Sequence, residues 1–184
     1  DYSIDWNGCL KKTAAESGRH KNCLPGTASC AIIKKGGKHM QIEYLKICRF
    51  KSIICLEIED ISQALILVGQ NSTGKTTVLD AIRAVGGDYR IVPEDFDESG
   101  ANIEITVRLS LCEEDLKRLQ KRGKVSSYRR WDSFLADVKK KLPSFDGETL
   151  TFTYIVNRDS RQRFDDGFKK NNPYIRDVFP TIYY

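Results

Sequence analysis

With 184 residues, 40% of them hydrophobic and 30% charged, the chain has the make-up of a one-domain globular protein. That composition excludes a disordered chain, and no apolar run approaches the roughly 20 residues that span a bilayer. The net charge of +5 is local: residues 1–39 hold seven Lys/Arg against three Asp/Glu (+4), and residues 40–184 carry +1, so bulk charge gives no support to DNA binding by the body.

Residues 1–39 show no sustained period of 2 or 3.6 and are rich in Gly, Ser, Lys and Thr. They read as a disordered leader, set apart from a domain spanning 40–184. The stretch KKGGKHM permits, at the nucleotide level, a purine-rich ribosome-binding sequence just before the Met40 codon. Two readings follow: a non-native read-through ahead of a natural start at Met40, or a flexible basic tail. The opening DYSIDWNGCLKK lacks the basic start and apolar core of a secretory signal, which points to a cytoplasmic location. His20, Cys23, Cys30 and His39 contain no C-x-x-C pair and fit no common zinc spacing. Cys48, Cys55 and Cys112 lie in apolar surroundings and read as small hydrophobes of a reduced, intracellular chain.

From Met40 onward the pattern is regular. QIEYLKIC and SIICLEIED alternate as two strands joined at RFK, and ALILV (64–68) is a short apolar run expected of a strand buried on both faces. GKTTVLDAIRAV places Val78, Leu79, Ile82 and Val85 at helical spacing, with Gly86-Gly87 as a stop. DYRIVPEDFDESG is an acidic loop, and NIEITVRLS alternates with Ile103, Ile105, Val107 and Leu109 on one face. Ser110 with Glu113 forms a capping box for a helix from about Leu111 to Arg122. A second helix is expected to turn Trp131, Phe134, Leu135, Val138 and Leu142 inward and to end at Pro143. TLTFTYIVN is a further strand, NRDSRQRF turns back, and NPYIRDVF forms a short helix. The fold class is α/β, a mixed sheet flanked by helices.

Between the apolar run and its helix stands Gly69-Gln70-Asn71-Ser72-Thr73-Gly74-Lys75-Thr76, which matches G-x-x-x-x-G-K-[ST] without a mismatch. Gly69 and Gly74 permit backbone geometries that a Cβ would block. The loop then turns successive N–H groups toward the phosphates of ATP, reinforced by the positive end of the helix. Lys75 reaches the β- and γ-phosphates, and Thr76 offers its hydroxyl to Mg2+, followed by Thr77.

Hydrolysis also needs an apolar strand ending in Asp, usually followed by Glu. The nearest segment, TYIVNRD, has Asn157 where the acid belongs, and no signature segment or downstream catalytic His is present. Lesser features have plainer readings. KRLQKRGKVSSYRRW (117–131) combines seven basic residues with Tyr128 and Trp131, a pattern that suits a nucleic-acid backbone but equally a solvated helix end. Asp165-Asp166-Gly167 is first of all a turn, with metal ligation as the alternative.

MQIEYLKICRFKSI followed by ALILVGQNSTGKTTVLDAI resembles the N-terminal lobe of ABC-type P-loop ATPases of the RecF, SMC and OLD (overcoming-lysogenisation-defect) group, often labelled AAA-family ATPases. PEDFDESGANIEITVRLSL looks most like the OLD-type ATP-dependent endonucleases, and the resemblance covers residues 40–120. It implies an ATP and Mg2+ site with Arg49 or Lys51 near Lys75, although the family usually has Asn at the place of Arg49 and Arg at that of Lys51. It further implies that two heads form a homodimer with ATP sandwiched between them, and that the full-length parent acts on DNA in cleavage, repair or phage defence. The family places its acidic strand, signature segment and Toprim nuclease residues in later segments. The chain is therefore expected to be a truncated portion with the C-terminal half of the ATPase missing and FPTIYY ending in mid-pattern. Two functions remain: an ATPase head coupled to DNA processing, or a nucleotide-binding fragment or interaction module without turnover.

Overall fold

The computed structural model describes residues 2–4, 10–12, 28–34, 40–61, 64–70, 74–123, 125–126 and 130–178. In chain order the strands are β1 (Tyr2–Ile4), β2 (Leu10–Lys12), β3 (Ala28–Lys34), β4 (Gln41–Phe50), β5 (Ile53–Ile58) and β6 (Ala64–Gln70). Helix α1 (Lys75–Gly86) and a 3-10 turn at Pro93–Asp95 lead into β7 (Ile103–Ser110). Then come α2 (Glu113–Lys121), α3 (Trp131–Lys141), β8 (Thr149–Val156), β9 (Gln162–Asp165) and α4 (Ile175–Val178).

The strands form two sheets rather than the single mixed sheet expected. One is antiparallel with the order β5-β4-β7-β8-β9; the other has the order β2-β1-β6-β3, with β1 parallel and β3 antiparallel to β6. The second sheet draws three strands from residues 2–34, where no regular element is expected from sequence. The physical reason is backbone pairing: β3 matches β6 over seven residue pairs, from Ala28 opposite Gln70 to Lys34 opposite Ala64. Ladder hydrogen bonds and the short run Ala31-Ile32-Ile33 suffice for a strand without a long alternation.

Alternation dictates the five-stranded sheet. Ile103, Ile105, Val107 and Leu109 of β7 face the core opposite Val156, Tyr154, Phe152 and Leu150 of β8, all of them buried. Each such fully buried side chain contributes about 1.5–3 kcal/mol. Val78, Ala81, Ile82 and Val85 of α1 close over the same core, together with Leu67 from β6. Strand β4 departs from strict alternation twice, burying Ile42, Leu45, Ile47 and Phe50. The first phase shift is an irregularity of pairing between Ile42 and Tyr44; the second is Arg49, whose φ of 58° turns Phe50 inward where plain alternation would face it out.

Two helix details differ from expectation. The cap of α2 is Cys112, not Ser110: the Asp115 carboxylate accepts the Cys112 N–H at 3.0 Å, while Ser110 stays in the β7 ladder opposite Gln41 and Thr149. Trp131, expected in the core, is 39% exposed at the first turn of α3 and stacks on the outer side of Phe134 with ring centroids 4.9 Å apart. Phe134, Val138 and Leu142 do face inward, and Leu135 is partly buried. No helix among the described residues is long and apolar enough to cross a membrane.

Candidate functional site

Gly69 and Gln70 end β6, and Gly74 opens α1; Asn71, Ser72 and Thr73 lie outside the described residues. Gly74 is left-handed (φ 86°, ψ 5°), which glycine adopts without the Cβ penalty that other residues meet. It is an N-cap with no side-chain oxygen, and the helical ladder begins with the Val78 N–H donating to the Gly74 carbonyl at 3.1 Å. The N–H groups of Lys75, Thr76 and Thr77 therefore precede the ladder and point out of the helix start. Lys75 is buried, 5% exposed, and Thr77 is buried beside it, while Thr76 is exposed. A buried lysine next to a left-handed glycine, with an exposed hydroxyl one residue on, fits a phosphate group with a metal ion at its side.

The β4–β5 turn supplies the other two predicted residues, and the structure sends them to different partners. Arg49 reaches β7: its Nε donates to the Asn102 carbonyl at 2.8 Å and its Nη2 lies 3.0 Å from Glu104 Oε1. Lys51 reaches α1: its Nζ donates to Asp80 Oδ2 at 2.7 Å, five residues along from Lys75. The backbone of Lys51 is also left-handed, with φ 52°, and its N–H donates to the Asp95 carbonyl at 2.7 Å. Lys51 Nζ stands 4.6 Å from the Tyr89 ring centroid, and the Tyr89 hydroxyl donates to Asp95 Oδ1 at 3.0 Å. Burial works against the ammonium charge of Lys51, but the bonds to Asp80 and Tyr89 outweigh it and raise its pKa.

Asp80, Tyr89 and Asp95 were missed by sequence reasoning. Asp80 carried a signal, being the one acid on α1 and standing at i+4 from Thr76, on the same helix face. Asp95 carried none, because its role depends on the 3-10 turn, where its carboxylate accepts the Val92 N–H at 2.9 Å.

Asp165 Oδ1 accepts the Gly167 N–H at 2.9 Å, and Asp166 accepts N–H groups of Phe168, Lys169 and Asn172 at 2.6–3.0 Å. That is a turn organised by side-chain acceptors. In 117–131, Arg118 pairs with Asp115, Arg130 pairs with Asp132, and Lys117 lies 5.8 Å from the Trp131 ring; Tyr128 is outside the described residues. Of the five thiols and imidazoles near the start, Cys9, His20, Cys23 and His39 are likewise outside them. Among the described residues no group of three His, Cys, Asp or Glu side chains is placed to hold a metal.

No protein-family model matches the chain, and no curated protein matches it. Among solved structures it is similar to the Smc head domain with a coiled coil and joint from Pyrococcus yayanosii, at 14% identity and a TM-score of 0.44. It is also similar to the Smc head domain with an extended coiled coil, bound to the C-terminal domain of ScpA, from Pyrococcus furiosus, at 16% identity and a TM-score of 0.42. Each overlap covers 78% of this chain, but only 26% and 33% of the respective solved chains.

Proposed function

We propose that the chain binds the triphosphate of ATP together with Mg2+ at residues 69–77. The observation that carries this reading is the placement of the motif: β6 ends at Gln70, and α1 begins at Lys75 behind a left-handed Gly74. In this assignment the N–H groups of Lys75, Thr76 and Thr77, which precede the helical ladder, turn toward the phosphate oxygens. Lys75 supplies a point charge between the β- and γ-phosphates, and Thr76 gives its hydroxyl to Mg2+. When bound, the ion would neutralise phosphate charge; beyond the Lys75 and Thr76 side chains, the chain contributes backbone N–H groups and the helix start.

The finer reading is an ATPase of the OLD, RecF and SMC group, whose paired heads close over ATP and act on DNA. What supports it is the element order: β4, the Arg49–Ser52 turn, β5, β6 and then the motif. In that reading Arg49 and Lys51 belong to the nucleotide's surroundings, Lys51 through Asp80 on α1. For these 184 residues we propose holding without turnover. Asn157 follows β8, and β8 pairs with β7 and β9 rather than with β6, so that strand end does not stand beside the phosphate strand.

Titration calorimetry with ATP and Mg2+ tests the site. The expected outcome is saturable, Mg2+-dependent binding that weakens at least about tenfold in Lys75→Ala, from loss of one charged contact. Failure of the chain to bind ATP–Mg2+, with its fold intact by circular dichroism, overturns the assignment. Phosphate release is expected at the background rate; release abolished by Lys75→Ala overturns the holding-only reading.

A further inference from the structure

Strands β4 and β5 set two thiols directly opposite one another. Cys48 is the register partner of Cys55 across the antiparallel ladder, so both side chains leave the same face of the sheet. It is the outer face, since the adjacent register pair, Ile47 and Leu56, is buried in the core. Cys48 is half-buried, Cys55 is exposed, and both are free thiols. Strand β5 is an edge of its sheet, which leaves Cys55 open to a small reagent. Directly opposed residues of an antiparallel pair stand about 4.5–5.5 Å apart at Cα, within the roughly 4.4–6.8 Å that a disulfide spans. Two positions along, on the same face, Lys46 and Glu57 form an ion pair at 3.2 Å that braces this edge in register.

We propose that Cys48 and Cys55 are a reversible dithiol–disulfide site, oxidised by a low-molecular-weight disulfide of the glutathione type. Cys55, the exposed thiol, loses its proton and attacks one sulfur of the reagent. The reagent's S–S bond breaks, a mixed disulfide forms on Cys55, and one thiolate leaves and takes up a proton. Cys48 then loses its proton and attacks the Cys55 sulfur, forming the Cys48–Cys55 bond and expelling the second thiol. Two electrons pass from the protein to the reagent, which is released as two thiols, and a dithiol reductant reverses the sequence. The order of attack follows the surroundings: burial and the hydrogen bond with Cys55 push the Cys48 thiol up to about 11, against the pull of Lys46 and Arg49. Cys48, the more buried thiol, is therefore the resolving one, and ring closure accelerates as rising pH ionises it. The closed ring contains residues 49–54 and so fixes the turn that carries Arg49 and Lys51.

The test is incubation of the reduced full chain with oxidised glutathione, an acid quench, alkylation, trypsin digestion and mass spectrometry. Trypsin cleaves after Arg49 and Lys51, so Cys48 and Cys55 fall in separate peptides unless the disulfide joins them. The expected result is a linked Cys48–Cys55 peptide that dithiothreitol separates, with two thiols released for each Cys48–Cys55 link formed. Cys48→Ser is expected to stop at the mixed disulfide on Cys55, releasing one. A stable mixed disulfide on Cys55 in the unaltered chain, no reaction at Cys55, or a link that forms only in denaturant overturns the proposal. None of these readouts depends on nucleotide, so this site and the ATP site stand or fall separately.

Discussion

Lys51 holds a left-handed backbone that costs a non-glycine residue roughly 1–2 kcal/mol. Its N–H to the Asp95 carbonyl and its ammonium on Asp80 Oδ2 offset that cost. Asp80 is almost fully buried, and its other cation, Arg83, stands farther off at 3.5 Å. Replacing Lys51 with Met is therefore expected to cost about 1–3 kcal/mol in urea unfolding, since it removes the nearer partner of a buried carboxylate. Combining it with Asp80→Asn is expected to recover part of that loss, a coupling of about 1 kcal/mol in a double-mutant cycle. Equal and additive losses would show that the two side chains are not coupled. The pH dependence has a definite sign. The pKa of Lys51 is raised in the folded state, so its contribution is complete below the ordinary value of 10.5 and is lost as the pH climbs through the folded value.

At the scale of elements, Gly74 is the position where sequence and conformation are most tightly bound. A Cβ built there meets nothing within 4 Å, so Gly74→Ala tests the backbone alone. The expected outcome is a stability loss of about 1–2 kcal/mol, or a thermal midpoint lower by several degrees, together with weaker ATP binding. An alanine variant as stable as the original would mean that α1 starts without the left-handed residue. Elements with a clean period were legible in sequence. Both β7 and β8 alternate strictly, and α1 has its apolar stripe and glycine stop. What stayed hidden depended on neighbours. Ser110 and Glu113 satisfy the capping pattern, but the ladder with Gln41 and Thr149 claims Ser110 first, and the cap moves to Cys112. Arg49 and Lys51 are left-handed although neither residue type favours that region, and only Asn102, Glu104, Asp80 and Asp95 explain why. The flanks of the motif, the end of β6 and the start of α1, were legible, whereas the ion-pair web from Lys51 to Asp80 and Asp95 was not.

At the scale of the whole molecule, β6, the strand ahead of the proposed phosphate site, lies between β1 and β3, so among the described residues its partners come from residues 2–34. A chain beginning at Met40 would lose both partners of β6 and expose two strand edges. Such a chain is expected to have a lower thermal midpoint, a greater tendency to associate and weaker ATP binding than the 184-residue chain. Calorimetry and light scattering on the two proteins check this. Equal midpoints and equal affinities would show that β6 keeps its place without β1 and β3, and would favour reading residues 1–39 as a leader outside the working domain. The two-sheet arrangement also sets both flanks of the proposed phosphate site, the end of β6 and the start of α1, against one core. Leu67 of β6 lies in that core, as do Val78, Ala81, Ile82 and Val85 of α1. A ligand bound at the proposed site would stabilise that shared core as a whole. At a hundredfold excess over its Kd it would add about 2.7 kcal/mol to the folded state. That added protection against hydrogen exchange would spread into β4 and β7, strands with no residue in the phosphate motif.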